Sequence, residues 1–316
     1  MRYVIIWLIA NKLFNLTLPF SDTNQQNLNM ETDPHQLRDL IRLALLEDIG
    51  DGDHSSLSSV PADATKRARL LVKQDGILAG VEVALVIFKE TAELYKDPSL
   101  EINVLLQDGT PVKRGDIVLT VEGSARLILK AERLVLNTMQ RMSGIATYTN
   151  EMATLIADLP VKLLDTRKTT PNFRLFEKMA VKIGGGTNHR MGLYDMIMLK
   201  DNHVDYAGGI ERAITGAQKY RKETGRNFKI EIETRSLAEV EEVLRVGQVD
   251  IIMLDNFSLE NMREAVKRIG GRFETEASGN ITEKTLRAVA ETGVDGISSG
   301  ALTHQARSLD LSLKAF

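Results

Sequence analysis

The sequence predicts an α/β protein in which a smaller N-terminal domain of mixed strands and helices precedes a barrel of repeated strand-and-helix units. Three observations predict it. First, short apolar runs recur after residue 160: LLDT from 163, MIMLK from 196, IEIE from 230, DIIMLD from 250, FETEA from 273 and DGISS from 295. Second, amphipathic helical patterns lie between the later runs, at Ser236 to Val246, Ser258 to Ile269 and Thr282 to Glu291. Alternation of that length implies a parallel sheet covered by helices. Third, every run ends in charge or small hydroxyls, and this favours a barrel over a doubly wound sheet. In a barrel the carboxyl ends of all strands converge on one face, where the chemistry sits.

Composition sets the outer bounds. A chain of 316 residues with 43% hydrophobic and 26% charged residues has ordinary globular usage and room for two domains. A formal net charge of −3 gives no bulk attraction for nucleic acid or a membrane surface, so neither is expected as a partner. The absence of cysteine excludes disulfides, thiolate zinc sites and a cysteine nucleophile, and it fits a reducing cytoplasm.

The elements follow in order. Val4 to Phe20 is apolar but short for a membrane span of about 20 residues, and no small-residue cleavage pattern follows it. Residues 1–30 are therefore expected to be a poorly structured extension, with Met30 as the natural beginning. The N-terminal domain is expected over 31–143. Asp33-Pro34 opens a helix, as N-cap and first helical residue, and Leu37, Leu40, Ile41, Ala44 and Leu45 recur at helical spacing up to Gly50. Strands are expected at Arg69 to Lys73 and Glu101 to Leu106, with a helix from Val81 to Leu94 between them. Asp108 to Gly123 reads as a hairpin-like segment, with Asp-Gly and Arg-Gly-Asp as turns and Ile117, Leu119 and Val121 alternating. It lacks the Met-Lys-Met of a carrier hairpin, so a structural sandwich strand pair is expected. Ser124 to about Ile156 is a long helical pattern interrupted at Ser143-Gly144, taken as the domain boundary. The barrel is then expected over 144–300, and 301–316 is expected to pack back on the N-terminal domain.

The strand ends carry the chemistry. DTRKTTP (165–171) is the first loop of the barrel, so Arg167 and Lys168 point into its mouth while Thr170 caps a helix starting at Pro171. IGGGTNHRMG (183–192) adds His189 and Arg190, and Lys200 ends the next strand. A glycine-rich Rossmann reading of that stretch fails on spacing. Such a cluster of cations repels itself in a low-dielectric cleft unless a multiply anionic ligand is bound. Guanidinium groups match carboxylates and phosphates in bidentate fashion. Glu233 and Asp255 end successive strands and suit Mg²⁺, which is commonly held by one or two carboxylates plus substrate phosphates. Salt bridges from these acids to the lysines are the competing reading. Ser278-Gly279-Asn280 and Ser298-Ser299-Gly300 follow the last two strands, where barrels often place a phosphate.

Eight blocks in this order closely resemble the quinolinate phosphoribosyltransferase family: AERLVLNTMQRMSGIAT (131–147), DTRKTTP (165–171), GGGTNHR (184–190), LKDNH (199–203), EIE (231–233), IIMLDNF (251–257), EASGNI (276–281) and GALTH (300–304). The resemblance runs from about Asp33 to the C-terminus. It implies an N-terminal open-faced α/β sandwich, an incomplete α/β (TIM-like) barrel, and a homodimer whose active sites borrow from the neighbouring subunit. It further implies that Arg133 reaches across the interface, that Arg167, His189, Arg190 and Lys200 bind the two carboxylates of quinolinate, and that Lys168 lies between quinolinate and phosphoribosyl pyrophosphate. Glu233 and Asp255 would hold Mg²⁺ and the ribose pyrophosphate, while Ser278, Gly279, Gly300 and His304 would receive phosphate. Departures are Thr170, Asn172, Ala277 and the first thirty residues.

The activity so implied is phosphoribosyl transfer to quinolinate with decarboxylation, giving nicotinate mononucleotide, pyrophosphate and CO₂. Lys168, Lys200, Glu233 and Asp255 are the candidate catalytic groups. Two alternative readings compete with it. A non-decarboxylating phosphoribosyltransferase for a related ring acid would need fewer cations. A non-catalytic barrel binding phosphorylated metabolites would not need Glu233 beside Asp255.

Overall fold

The computed structural model describes residues 34–97 and 100–316. The expectations for residues 1–30 and for the cap at Asp33 lie outside them.

Helix α1 (Pro34–Ile49) buries Ile41, Leu45 and Ile49 along one face and ends at Gly50, whose φ of +56° a glycine adopts without strain. A short α2 (His54–Ser59) follows, with Asp53 accepting from the Ser56 N–H at 3.1 Å. Next come β1 (Thr65–Val72), β2 (Gly76–Ile77), α3 (Val81–Tyr95), β3 (Glu101–Val104), β4 (Pro111–Val112) and β5 (Ile117–Ser124).

The Asp108 to Gly123 stretch is not a hairpin. Strand β4 pairs with β2, while β5 lies between β1 and β3. Asp108 sits in its expected turn and its side chain also accepts from the Val81 N–H at 2.8 Å, which satisfies an orphan donor at the start of α3. Both expected turns form, closed by the Thr110 N–H on the Gln107 carbonyl at 3.2 Å and by the Asp116 N–H on the Lys113 carbonyl at 3.1 Å, but they do not join paired strands.

The expected break at Ser143-Gly144 is absent as well. Helix α4 (Ala125–Thr154) runs through it without interruption for 30 residues. The two small residues form a packing notch. Ser143 Oγ accepts from the Ala79 N–H at 2.9 Å and donates to its carbonyl at 3.0 Å. A Cβ on Gly144 would stand 2.8 Å from the Arg307 carbonyl carbon and 2.9 Å from Ser308 Cα.

The barrel half comprises β6 (Lys162–Leu164), α5 (Arg174–Ile183), β7 (Ile197–Leu199), α6 (Asp201–Ala207), α7 (Ile210–Thr224), β8 (Ile230–Thr234), α8 (Leu237–Val246), β9 (Ile251–Asp255), α9 (Leu259–Ile269), β10 (Glu274–Ser278), α10 (Glu283–Ala290), β11 (Gly296–Ser298) and α11 (Ala301–His304). Its six strands are all parallel in the order β6-β11-β10-β9-β8-β7. The edges β6 and β7 do not pair with each other, so the barrel is incomplete; Thr187 adds one parallel bridge to Leu164. Because strand neighbours alternate faces, Ile230 and Ile232 share one face of β8 and Glu231 and Glu233 share the other; all four are buried.

Thr170 does not cap a helix at Pro171. Asn172 has φ +60°, a left-handed residue that no α-helix carries, and α5 starts only at Arg174. Strand β12 (Leu311–Ala315) returns to pair antiparallel with β1, Leu313 opposite Leu70, and completes a four-stranded sheet ordered β12-β1-β5-β3. Among the described residues, no helix is long and apolar enough to cross a membrane.

Candidate active site

A cavity of about 590 Å³ opens at the carboxyl ends of the barrel strands. Nine residues expected at the site line it: Arg167, Lys168, His189, Arg190, Lys200, Glu233, Asp255, Ser278 and Gly279. They come from β8, β9 and β10 and from the loops around β6 and β7, so only the closing of the sheet assembles them.

Two guanidinium groups of the cationic wall lie close enough to repel each other. Arg190 has its pKa lowered, first by burial and then by the neighbouring charge of Arg167. Arg167 Nε is buried without a hydrogen-bond partner. A guanidinium so placed lacks the acceptors that water would offer, and an anion in the cavity would supply them.

His189 sits deeper, with Nε2 3.2 Å from Glu231 and 3.1 Å from Glu276. Burial disfavours a charged ring, but the two carboxylates outweigh it and raise the pKa to about 10. The Arg190 N–H donates to Nδ1 at 2.7 Å, which opposes that pull because an imidazolium has no acceptor nitrogen. Burial also raises the Glu231 carboxyl above the usual carboxylate range.

Across the cavity, Lys200 Nζ donates to Glu233 at 3.0 Å, so the competing salt bridge is realised at this acid. Asp255 accepts instead from the Asn256 side chain at 2.6 Å. Each carboxylate thus commits one oxygen to the protein and has a second. Hard oxygen donors on adjacent strands suit Mg²⁺.

Asn256, Gly279 and Asn280 all have positive φ, at +55°, +99° and +51°. A Cβ on Gly279 would lie 2.6 Å from Asn256 Cγ, so the two loops touch through a glycine.

Four expected residues do not line the cavity. Arg133 is exposed on α4. Ser299 is buried and donates to the Ile281 carbonyl at 3.3 Å. Gly300 is capped by Lys168 and His304, whose atoms would stand 2.8 and 3.0 Å from a Cβ there, and His304 itself is exposed. Residues with no role assigned from sequence also line the wall, notably Met198, Met253, Asn256 and Glu276. The period-2 pattern of IEIE put Glu231 on the face of Glu233, the one signal that could have found it.

Comparison with known proteins places this arrangement. The family model "Quinolinate phosphoribosyl transferase, N-terminal domain" matches residues 53–143, and the corresponding C-terminal domain model matches 145–314. Quinolinate phosphoribosyltransferase [decarboxylating] 1b of Nicotiana tabacum is 46% identical over 295 residues, covering 89% of this chain and 82% of its own length. Nicotinate-nucleotide pyrophosphorylase [carboxylating], chloroplastic, of Arabidopsis thaliana is 47% identical over 89% of this chain and 83% of its own. The crystal structure of NadC from Streptococcus pyogenes superposes with a TM-score of 0.82 at 40% identity, over 90% of this chain and 99% of that one. Both domain models and the shared fold agree: the chain belongs to the quinolinate phosphoribosyltransferase family.

Proposed function

We propose that this protein transfers the phosphoribosyl group of phosphoribosyl pyrophosphate to the ring nitrogen of quinolinate and releases the 2-carboxylate as CO₂, leaving nicotinate mononucleotide and pyrophosphate. The observation that carries the reading is the pairing of Arg167 and Arg190 in one cavity, with a buried guanidinium nitrogen that lacks an acceptor. A pyridine diacid supplies two carboxylates to such a wall.

Arg167, His189, Arg190 and Lys200 hold the diacid in this reading, and Lys168 stands between it and the sugar diphosphate. Glu233 and Asp255 would hold Mg²⁺, which when bound neutralises a departing pyrophosphate. Ser278 and Gly279, with Ser299, Gly300 and His304 beyond the cavity wall, take the phosphate side. The ring nitrogen attacks the anomeric carbon as the C–O bond to pyrophosphate breaks. No general base is needed, because that nitrogen carries no proton. The quaternised ring then accepts the electron pair freed as the C2–carboxylate bond breaks, and C2 takes up a proton. The protein's part is to orient and to neutralise charge.

The reading includes a homodimer, with Arg133 of each subunit serving the other's cavity, and a cytoplasmic location suited to a cysteine-free chain. Incubation with Mg²⁺, phosphoribosyl pyrophosphate and quinolinate labelled in the 2-carboxyl group should release labelled CO₂ in step with nicotinate mononucleotide. Nucleotide formation without CO₂ would replace this reading with the non-decarboxylating one, and neither product would reject both.

A further inference from the structure

Helix α5 carries two adjacent, oppositely charged residues that are both buried, Glu177 at 0% and Lys178 at 1% exposure. Consecutive helical residues point about 100° apart, so the two side chains leave the helix toward different loops. Glu177 accepts from the Thr170 N–H at 3.0 Å and the Thr170 hydroxyl at 2.9 Å, which ties down the loop bearing Arg167 and Lys168. It also accepts from Arg141 at 2.8 Å, and Arg141 holds the carbonyls of Thr303 and Ala306. Thr303 Oγ1 in turn donates to the Lys168 carbonyl at 2.8 Å. Lys178 serves the other loop. Its Nζ donates to Asp165 and, at 3.1 Å, to the His189 carbonyl. Asp165 accepts from the His189 N–H at 2.8 Å and the Asn188 side chain at 2.6 Å.

Buried ion pairs are a poor source of net stability, since apolar residues of similar size serve as well. What they supply is direction: several hydrogen bonds of fixed geometry to backbone that no side-chain methyl could hold. We propose that Glu177 and Lys178 are positioning residues, a two-armed splint in which Lys178, through Asp165, sets His189 and Arg190 for the diacid, and Glu177 sets the loop of Arg167 and Lys168. The inference rests on the reading of the cavity given above.

Two amides report the arms directly, Thr170 N–H for Glu177 and His189 N–H for Lys178. In ligand-free protein, Lys178→Met should speed hydrogen exchange at His189 by about 10-fold or more while leaving Thr170 within about 2-fold, and Glu177→Gln should do the reverse. In steady state, Lys178→Met should raise the KM for quinolinate about 10-fold and leave that for phosphoribosyl pyrophosphate within about 2-fold. If Lys178→Met does not fold, Asn188→Ala removes a tether from the same loop without opening the ion pair and carries the same expectation. Equal responses of both amides in both variants, or a lowered melting temperature with both KM values unchanged, would overturn the proposal in favour of a purely structural pair. Absence of activity in the wild type would reject the reading of the cavity, while the exchange pattern still decides the splint.

Discussion

Gly279→Ala tests whether the contact between two loops governs the sugar-phosphate side of the cavity. Gly279 has φ +99°, where a side chain stores about 1–3 kcal/mol of strain. The added Cβ would stand 2.6 Å from Asn256 Cγ and 3.0 Å from Asn256 N. Favourable contact between carbons lies at about 3.5–4.0 Å, so the Asn256 side chain must retreat by about 1 Å. It cannot do so alone. Its amide donates to Asp255 at 2.6 Å, and its oxygen accepts from Asn280 at 3.1 Å. Asp255 therefore moves, and a misplacement of about 1 Å costs up to about 10²-fold in rate. A strain of this size leaves a domain with about 5–15 kcal/mol of stability folded. The assay is labelled CO₂ release with each substrate varied in turn, beside a thermal melt. We expect kcat/KM for phosphoribosyl pyrophosphate to fall about 10- to 100-fold with the KM for quinolinate nearly unchanged. Wild-type kinetics in a folded variant would refute the reasoning.

Three further outcomes follow from other parts of the molecule. Arg133→Ala and Lys168→Ala should each be inactive, and mixing them should restore part of the activity through hybrid dimers; no recovery after subunit exchange would argue against a shared site. Gly144→Ala should lower the melting temperature, because overpacking against the Arg307 to Ser308 backbone costs about 1–3 kcal/mol, against a gain of about 1 kcal/mol from helix propensity; a raised melting temperature would show that this backbone yields. Because the His189 pKa is raised to about 10, its contribution to stability is full below the unfolded value of about 6.5 and is lost as pH rises toward 10. The difference in melting temperature between wild type and Glu276→Gln should therefore shrink from pH 7 to pH 10, and a difference that grows over that range would contradict the assignment.

Most of the barrel was legible because its signals are local. The run MIMLK does contain β7, and Ser236 and Ser258 do cap α8 and α9. The misreadings at 108–123 and at Ser143-Gly144 came from partners distant in sequence. Asp108 to Gly123 reads as a hairpin, yet β4 pairs with β2 and β5 with β1 and β3, while Asp108, in its turn, also caps a helix 27 positions earlier. Ser143-Gly144 looked like a helix break, yet it accommodates Ala79 on one side and Arg307 on the other. Thr170 looked like a cap, yet Asn172 turns left-handed and leaves Thr170 bound to Glu177 instead. Within the site, the residues at strand ends were found and those one layer deeper, Glu231 among them, were not.

By itself the sequence determined the βα alternation, the charged strand ends and the ordered blocks that mark the family, since propensity, period and motif are properties of neighbours along the chain. Only the tertiary structure decided that Arg190 feels Arg167, that Glu231 and Glu276 share one histidine, and that Glu177 and Lys178 serve separate loops. Those relations depend on distances of a few ångströms between strands far apart in sequence, and burial sets their strength by removing the water that would otherwise screen them.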